Sequence, residues 1–187
     1  MAFTELPEHT NPNKKAASTA AERNISMNSR KTAYLGLFAA LAIIFGYVET
    51  LIPVFAGIPG IKLGLANLSV LFILHRYSCK EAAFVSVVRI IVIGFLFGNM
   101  FSIVYSLAGA ALSLTVMTLL KKKTDFSLFG ISVAGGVSHN IGQLIVAMLI
   151  VENMALIYYA PALLISGVVT GLLIGWLTTE VSKRITL

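Results

Sequence analysis

The stretch Phe101–Leu120, FSIVYSLAGAALSLTVMTLL, decides the fold. It runs for 20 residues without a charged side chain and then meets Lys121, Lys122 and Lys123. A helix needs about 20 apolar residues to cross the ~30 Å of hydrocarbon in a bilayer. Alternation of apolar and polar residues, the mark of a membrane strand, is absent. Ser102, Ser106 and Ala110 repeat every four residues, so small side chains share one face of the helix.

Similar runs lie on both sides of it. The first is Tyr34–Phe55, ended by Pro53 and by Gly57, Ile58, Pro59 and Gly60. The second is Gly64–Tyr77, short for a crossing. The third is Ala82–Phe97, with Arg89 in its middle. The fifth covers about Leu128–Val151 and the sixth about Ile157–Thr178. The second and third are open to being tilted, broken or partly buried behind their neighbours. The expected fold is therefore an all-α integral membrane protein, a compact bundle of six transmembrane helices spanning residues 30–187. Residues 1–29 hold Glu5, Glu8, Lys14, Lys15, Glu22, Arg23 and two prolines without an apolar period. They read as a disordered cytoplasmic tail. They do not read as a signal peptide, because the apolar run comes late, is long, and has no clear cleavage site after it.

Composition agrees with a membrane chain. Of 187 residues, 57% are hydrophobic and 12% charged, against roughly 25% charged in a soluble domain. The mean hydropathy is +0.88. The net charge of +6 has a positional explanation. With the tail in the cytoplasm and six spans alternating, 12 of the 14 basic residues fall inside, Lys62 falls outside and Arg89 lies within a span. Inversion would reverse that ratio. The bias of Lys and Arg toward the cytoplasmic side thus puts both termini inside a multi-pass protein of the cell membrane. A nucleic-acid partner is not expected. The single cysteine, Cys79, excludes an intramolecular disulfide.

Small residues mark where helices meet. Gly167, Gly171 and Gly175 repeat at four-residue spacing, as do Gly130, Ala134, Ser138 and Gly142. Such rows let backbones approach where lipid offers no hydrophobic gain. The first helix carries Gly36 and Ala40, then Ala42 and Gly46. Two readings stand for it: packing inside the bundle, or a face on which Gly36 and Ala40 dock a partner.

Polar side chains in spans are costly and need a partner or a purpose. They gather in the outer halves: Glu49, Asn67, Asn99, Tyr105, Asn140, Gln143 and, after the fifth run, Glu152, Asn153, Tyr158 and Tyr159. His139 and Gln143 stack on one helix face. A cluster of this kind suits an outward-open pocket for a small molecule. The alternative is that some of these groups meet water and headgroups, or bond between helices. Arg89 needs a carboxylate, carbonyls or a wet cavity. Glu49 is the first choice for an ion pair, and an anionic ligand group is the second.

Several chemistries are excluded. No P-loop is present, so the chain carries no such ATPase of its own. Asp125 is the one aspartate, so the aspartate-rich metal–diphosphate sites of prenyl synthases cannot be assembled. The three histidines, His9, His75 and His139, give no metal-ligand spacing. No enzyme, cofactor or metal is expected.

Two linked families are resembled. Pro59–Leu68, PGIKLGLANL, resembles the outer loop and second-helix start of S components of energy-coupling factor transporters. Gly98–Gly109 and Gly135–Gln143 resemble the Gx transporter family, often labelled heptaprenyl diphosphate synthase component I. The resemblance covers residues 31–183. It implies a substrate-binding S component that captures a small molecule outside, with a transmembrane coupling subunit, cytoplasmic ATPases and membrane lipid as partners. It implies substrate-binding roles for Lys62, Asn67, Asn99, Tyr105, His139, Asn140, Gln143 and Tyr158. The family label implies the other function: a non-catalytic membrane accessory subunit in polyprenyl diphosphate, quinone or redox metabolism.

Overall fold

The computed structural model describes residues 12–51 and 64–184. Its element order is α1 (Pro12–Leu51), α2 (Leu65–Arg76), α3 (Cys79–Phe97), α4 (Met100–Lys123), α5 (Leu128–Val151), a 3-10 turn (Met154–Tyr159) and α6 (Ala160–Arg184). The described residues contain no strand. The contacts divide the chain after Gly36 into two units. In the first, α1 begins at Pro12 and so takes in residues 12–29, the stretch set apart above as a tail. The second unit, Leu37–Leu187, holds all the other elements.

Four helices are long and apolar enough to cross a membrane: Met27–Leu51, Met100–Lys123, Leu128–Val151 and Met154–Arg184. The expectation of six transmembrane helices is met in helix number, and the two runs left open, the second and third, are the ones that fall short. At 1.5 Å per residue, the 12 residues of α2 reach about 18 Å, short of the bilayer core. α3 is 19 residues long but carries Lys80, Glu81 and Arg89. α2 is apolar almost all round, and Ala66 and Ser69–Leu74 are buried. A helix with that pattern belongs inside a bundle.

Glycines set the helix crossings of the second unit. A Cβ added to Gly171 would lie 2.6 Å from Val133 Cα, and one on Gly167 would lie 3.0 Å from Val137 Cα. One on Gly175 would lie 3.0 Å from Phe129 Cα, so α6 runs antiparallel to α5. On its other side α5 meets α4, where a Cβ on Gly142 would lie 3.0 Å from Gly109 Cα. The row on α6 therefore packs as its spacing suggests. On α5 the close approaches fall at Gly135, Gly136 and Gly142, because α5 is gripped from two sides. Ile90, Ile103 and Ala110 form a buried cluster between α3 and α4, flanked by Leu107. Within this unit α1 stacks Phe38 on Phe72 with ring centres 4.5 Å apart. The outside is apolar: Phe84, Phe95, Ile165, Val169 and Trp176 are exposed, as side chains facing lipid would be.

The short connections are capped locally. Ser78 opens α3 by accepting from Lys80 N at 3.3 Å. Asn99 opens α4 with a capping box, its Oδ1 accepting from Ser102 N at 2.8 Å while its own N–H donates to Ser102 Oγ at 3.1 Å. Lys121 Nζ donates to Leu74 O at 2.5 Å and to His75 O at 3.0 Å. A cation satisfying the last carbonyls of a helix is favourable. The contact also brings the Lys121–Lys123 end of α4 to the α2–α3 turn with Arg76 and Lys80. Because α6 is antiparallel to α5, Lys183 and Arg184 lie beside the start of α5 at that same end.

Candidate functional site

A cavity of about 370 Å³ lies toward the opposite end of the second unit. α1 to α4 reach it with the parts farther from the basic end: α1 with Gly46, Glu49 and Thr50, α2 with Asn67, α3 with the segment from Arg89 to Phe97, and α4 with Ser102, Tyr105 and Ser106. α5 contributes Gly136, His139, Asn140 and Gln143 from its middle, and α6 contributes Thr170. Gly64 begins this rim at φ 73°, a left-handed conformation that glycine adopts without strain.

Of the eight residues assigned above to substrate binding, Asn67, Asn99, Tyr105, His139, Asn140 and Gln143 line this one cavity. Tyr158 does not line it. The 3-10 turn leaves Tyr158 85% exposed. Lys62 lies outside the described residues. Glu49 and Arg89 both line the cavity, and the Glu49 carboxylate exerts an attractive charge interaction on the Arg89 guanidinium. Glu49 Oε1 also accepts from Leu65 N, which ties the end of α1 to the first turn of α2. Gly36 and Ala40, assigned to partner docking, are exposed, and a Cβ added to Gly36 would meet nothing within 4 Å.

The hydrogen bonds separate structural groups from uncommitted ones. Asn140 Nδ2 donates to Leu163 O at 2.7 Å and Ser166 Oγ at 3.2 Å, pinning α5 to α6. Asn99 is largely engaged in its cap. Arg89 Nη2 donates to Asn67 Oδ1 at 3.2 Å, but Arg89 Nε is buried without a partner. Gln143 is only 7% exposed, and its amide makes no hydrogen bond among the described residues. Buried polar groups normally find partners, since leaving one unmade costs about 1–3 kcal/mol. Arg89 Nε is such an exception and is closed off from the cavity, whereas the Gln143 side chain lines the cavity wall, where a ligand or ordered water meets it.

Ser102, Ser106, Thr50 and Thr170 also line the cavity and were not among the sequence candidates. Ser102 and Ser106 were legible only as packing residues. Their place one helical turn apart, flanking Tyr105 and following Asn99, was the signal that they face the same space. Among the described residues no group of His, Cys, Asp or Glu could hold a metal ion.

Described residues that are helical without a strand, four of their helices apolar and long enough to cross a bilayer, define a helical membrane protein. It belongs to the heptaprenyl diphosphate synthase component I family, whose model matches residues 38–181. No curated protein and no solved structure matches the chain. None of these comparisons returns an energy-coupling factor S component.

Proposed function

We propose that this protein captures a small molecule in its polar cavity from the outer face of the cell membrane and presents it for uptake, as a substrate-binding S component of an energy-coupling factor type transporter. The observation that carries the reading is the cavity itself: about 370 Å³, within the usual size of a ligand site, with Arg89, His139, Asn140 and Gln143 on its wall. It lies away from the end where Arg76, Lys80, Lys121–Lys123, Lys183 and Arg184 gather, and the positive-inside bias assigns that end to the cytoplasm. In this reading α2 and α3 complete the set of six crossings, and both termini are cytoplasmic. The chain binds and does not catalyse. A transmembrane coupling subunit and cytoplasmic ATPases supply the energy, and Gly36 and Ala40 offer them a docking face.

The family's description favours a second reading, a non-catalytic membrane accessory to polyprenyl diphosphate, quinone or redox metabolism. Mass spectrometry of small molecules retained by the purified protein separates the two. A polar metabolite retained by wild type, lost on Gln143→Leu or Asn140→Leu, together with copurified ATPases, supports capture for uptake. A synthase or redox enzyme as the copurifying partner, with no solute uptake, supports the accessory role. Retention unaffected by either substitution moves the binding site out of the cavity.

A further inference from the structure

A second hollow adjoins the polar cavity. Where Gly109 and Gly142 bring α4 and α5 into contact, the two helices leave no room. Toward the Met100 end of α4 and the Val151 end of α5, a groove of about 290 Å³ opens between them. Its wall is almost wholly apolar, built from Phe101, Leu144, Ala147, Ile150, Leu156 and Tyr159. The 3-10 turn after α5 supplies Leu156 and Tyr159. Tyr105 and Gln143 line both the groove and the polar cavity, so they form the wall that the two spaces share.

The chemistry differs sharply across that wall. On one side are Asn67, Arg89, His139 and Asn140, and on the other side hydrocarbon. Gln143, buried and without a hydrogen-bond partner, stands at the boundary. Among the described cavity residues Arg89 is the permanent cation, and it already faces the Glu49 charge and the Asn67 amide. Among the described cavity residues a multiply anionic head such as a diphosphate would meet one cation, and Glu49 would repel it. The Gln143 amide, on the wall of both spaces, can donate to an uncharged acceptor such as a carbonyl oxygen.

We infer that the ligand is a membrane amphiphile, with an uncharged carbonyl-bearing head in the cavity and a hydrocarbon tail lying in the groove past Tyr105 and Gln143. This rests on the capture reading above and narrows the ligand class. Gln143 donates to the head. Apolar burial in the groove holds the tail. A ligand bridging both spaces satisfies the polar wall and fills the apolar one together, which neither a free polar solute nor a bulk lipid chain does.

The test uses the full chain in nanodiscs and three radiolabelled probes: 2-methyl-1,4-naphthoquinone, the same ring carrying two isoprenyl units, and farnesyl diphosphate. Ala147→Phe and Leu156→Trp fill the groove from two different elements, so one remains informative if the other fails to fold. Binding of each probe is compared between wild type and variant in identical nanodiscs, which cancels partitioning of the tail into lipid. The expected result is that both variants bind the tailless ring as wild type does and bind the isoprenyl ring at least tenfold more weakly. Equal loss of both ring probes, or loss of neither, overturns the groove as a tail site. Tighter binding of farnesyl diphosphate than of the isoprenyl ring overturns the uncharged head. If neither ring probe binds wild type, the inference fails. A polar metabolite without a hydrocarbon portion, retained by the wild-type protein and lost on Gln143→Leu, would then leave the capture reading standing.

Discussion

Replacing Gly109 by alanine should damage the protein far more than the same change at Gly36. A Cβ at position 109 would sit 2.7 Å from His139 O and 2.6 Å from Gln143 Cγ. Gln143 can swing its side chain, but His139 O belongs to the backbone of α5. To reach the 3.4 Å at which contact becomes ordinary, the two helices must part by about 0.7 Å at their crossing. Forcing one extra carbon into a packed crossing costs about 1–3 kcal/mol. The gain in helix propensity from glycine to alanine, about 0.5–1 kcal/mol, offsets only part of this. At Gly36 the added carbon meets nothing within 4 Å, so only the propensity gain remains. Reversible unfolding in mixed micelles with increasing dodecyl sulfate, followed by circular dichroism, measures both. Gly109→Ala is expected to lower the midpoint clearly, and Gly36→Ala to leave it unchanged or raise it. Equal effects at the two positions, or a stable Gly109→Ala, would refute the packing argument.

Other predictions follow from single contacts. Glu49→Gln removes the carboxylate whose charge attracts the half-buried Arg89 and should destabilise by about 1 kcal/mol, whereas Glu49→Gln with Arg89→Gln should recover much of that loss in a double-mutant unfolding cycle. Lys121→Ala leaves the Leu74 and His75 carbonyls without their cation and should cost about 1 kcal/mol, visible as faster amide exchange in the last turn of α2. Tyr158→Ala should not change ligand retention, because the side chain is 85% exposed and lines neither hollow, so a loss of binding would place that tyrosine back in the site.

Much of the helical order was readable from apolar runs alone. The fifth run, Leu128–Val151, coincides with α5, and the fourth extends at both ends to Met100–Lys123. Those ends were hidden by their own chemistry: the three lysines belong to the helix because Lys121 caps a neighbour across space. α6 begins at Ala160, three residues after its apolar run, because the preceding residues wind as a 3-10 turn. That tighter winding also separates the two tyrosines, turning Tyr159 toward the groove and Tyr158 to the surface. The polar positions of the cavity were legible because a polar side chain in an apolar span stands out. Their division of labour was not. That Asn140 clamps α6 while Gln143 has no partner depends on which carbonyls and hydroxyls lie opposite, and spacing along one helix does not contain that. The apolar groove left no mark at all, since leucines and phenylalanines on its wall look like those facing lipid.

Capture from outside requires the polar cavity to open away from the cytoplasm. Cys79 offers a native test, since it sits at the α2–α3 turn beside Arg76 and Lys80, while Ser106 lines the cavity. A membrane-impermeant thiol reagent applied to intact cells should leave wild-type Cys79 unlabelled until the membrane is permeabilised, and should label Ser106→Cys in a Cys79→Ser background at once. Labelling of Cys79 in intact cells, with Ser106→Cys protected, would contradict the account.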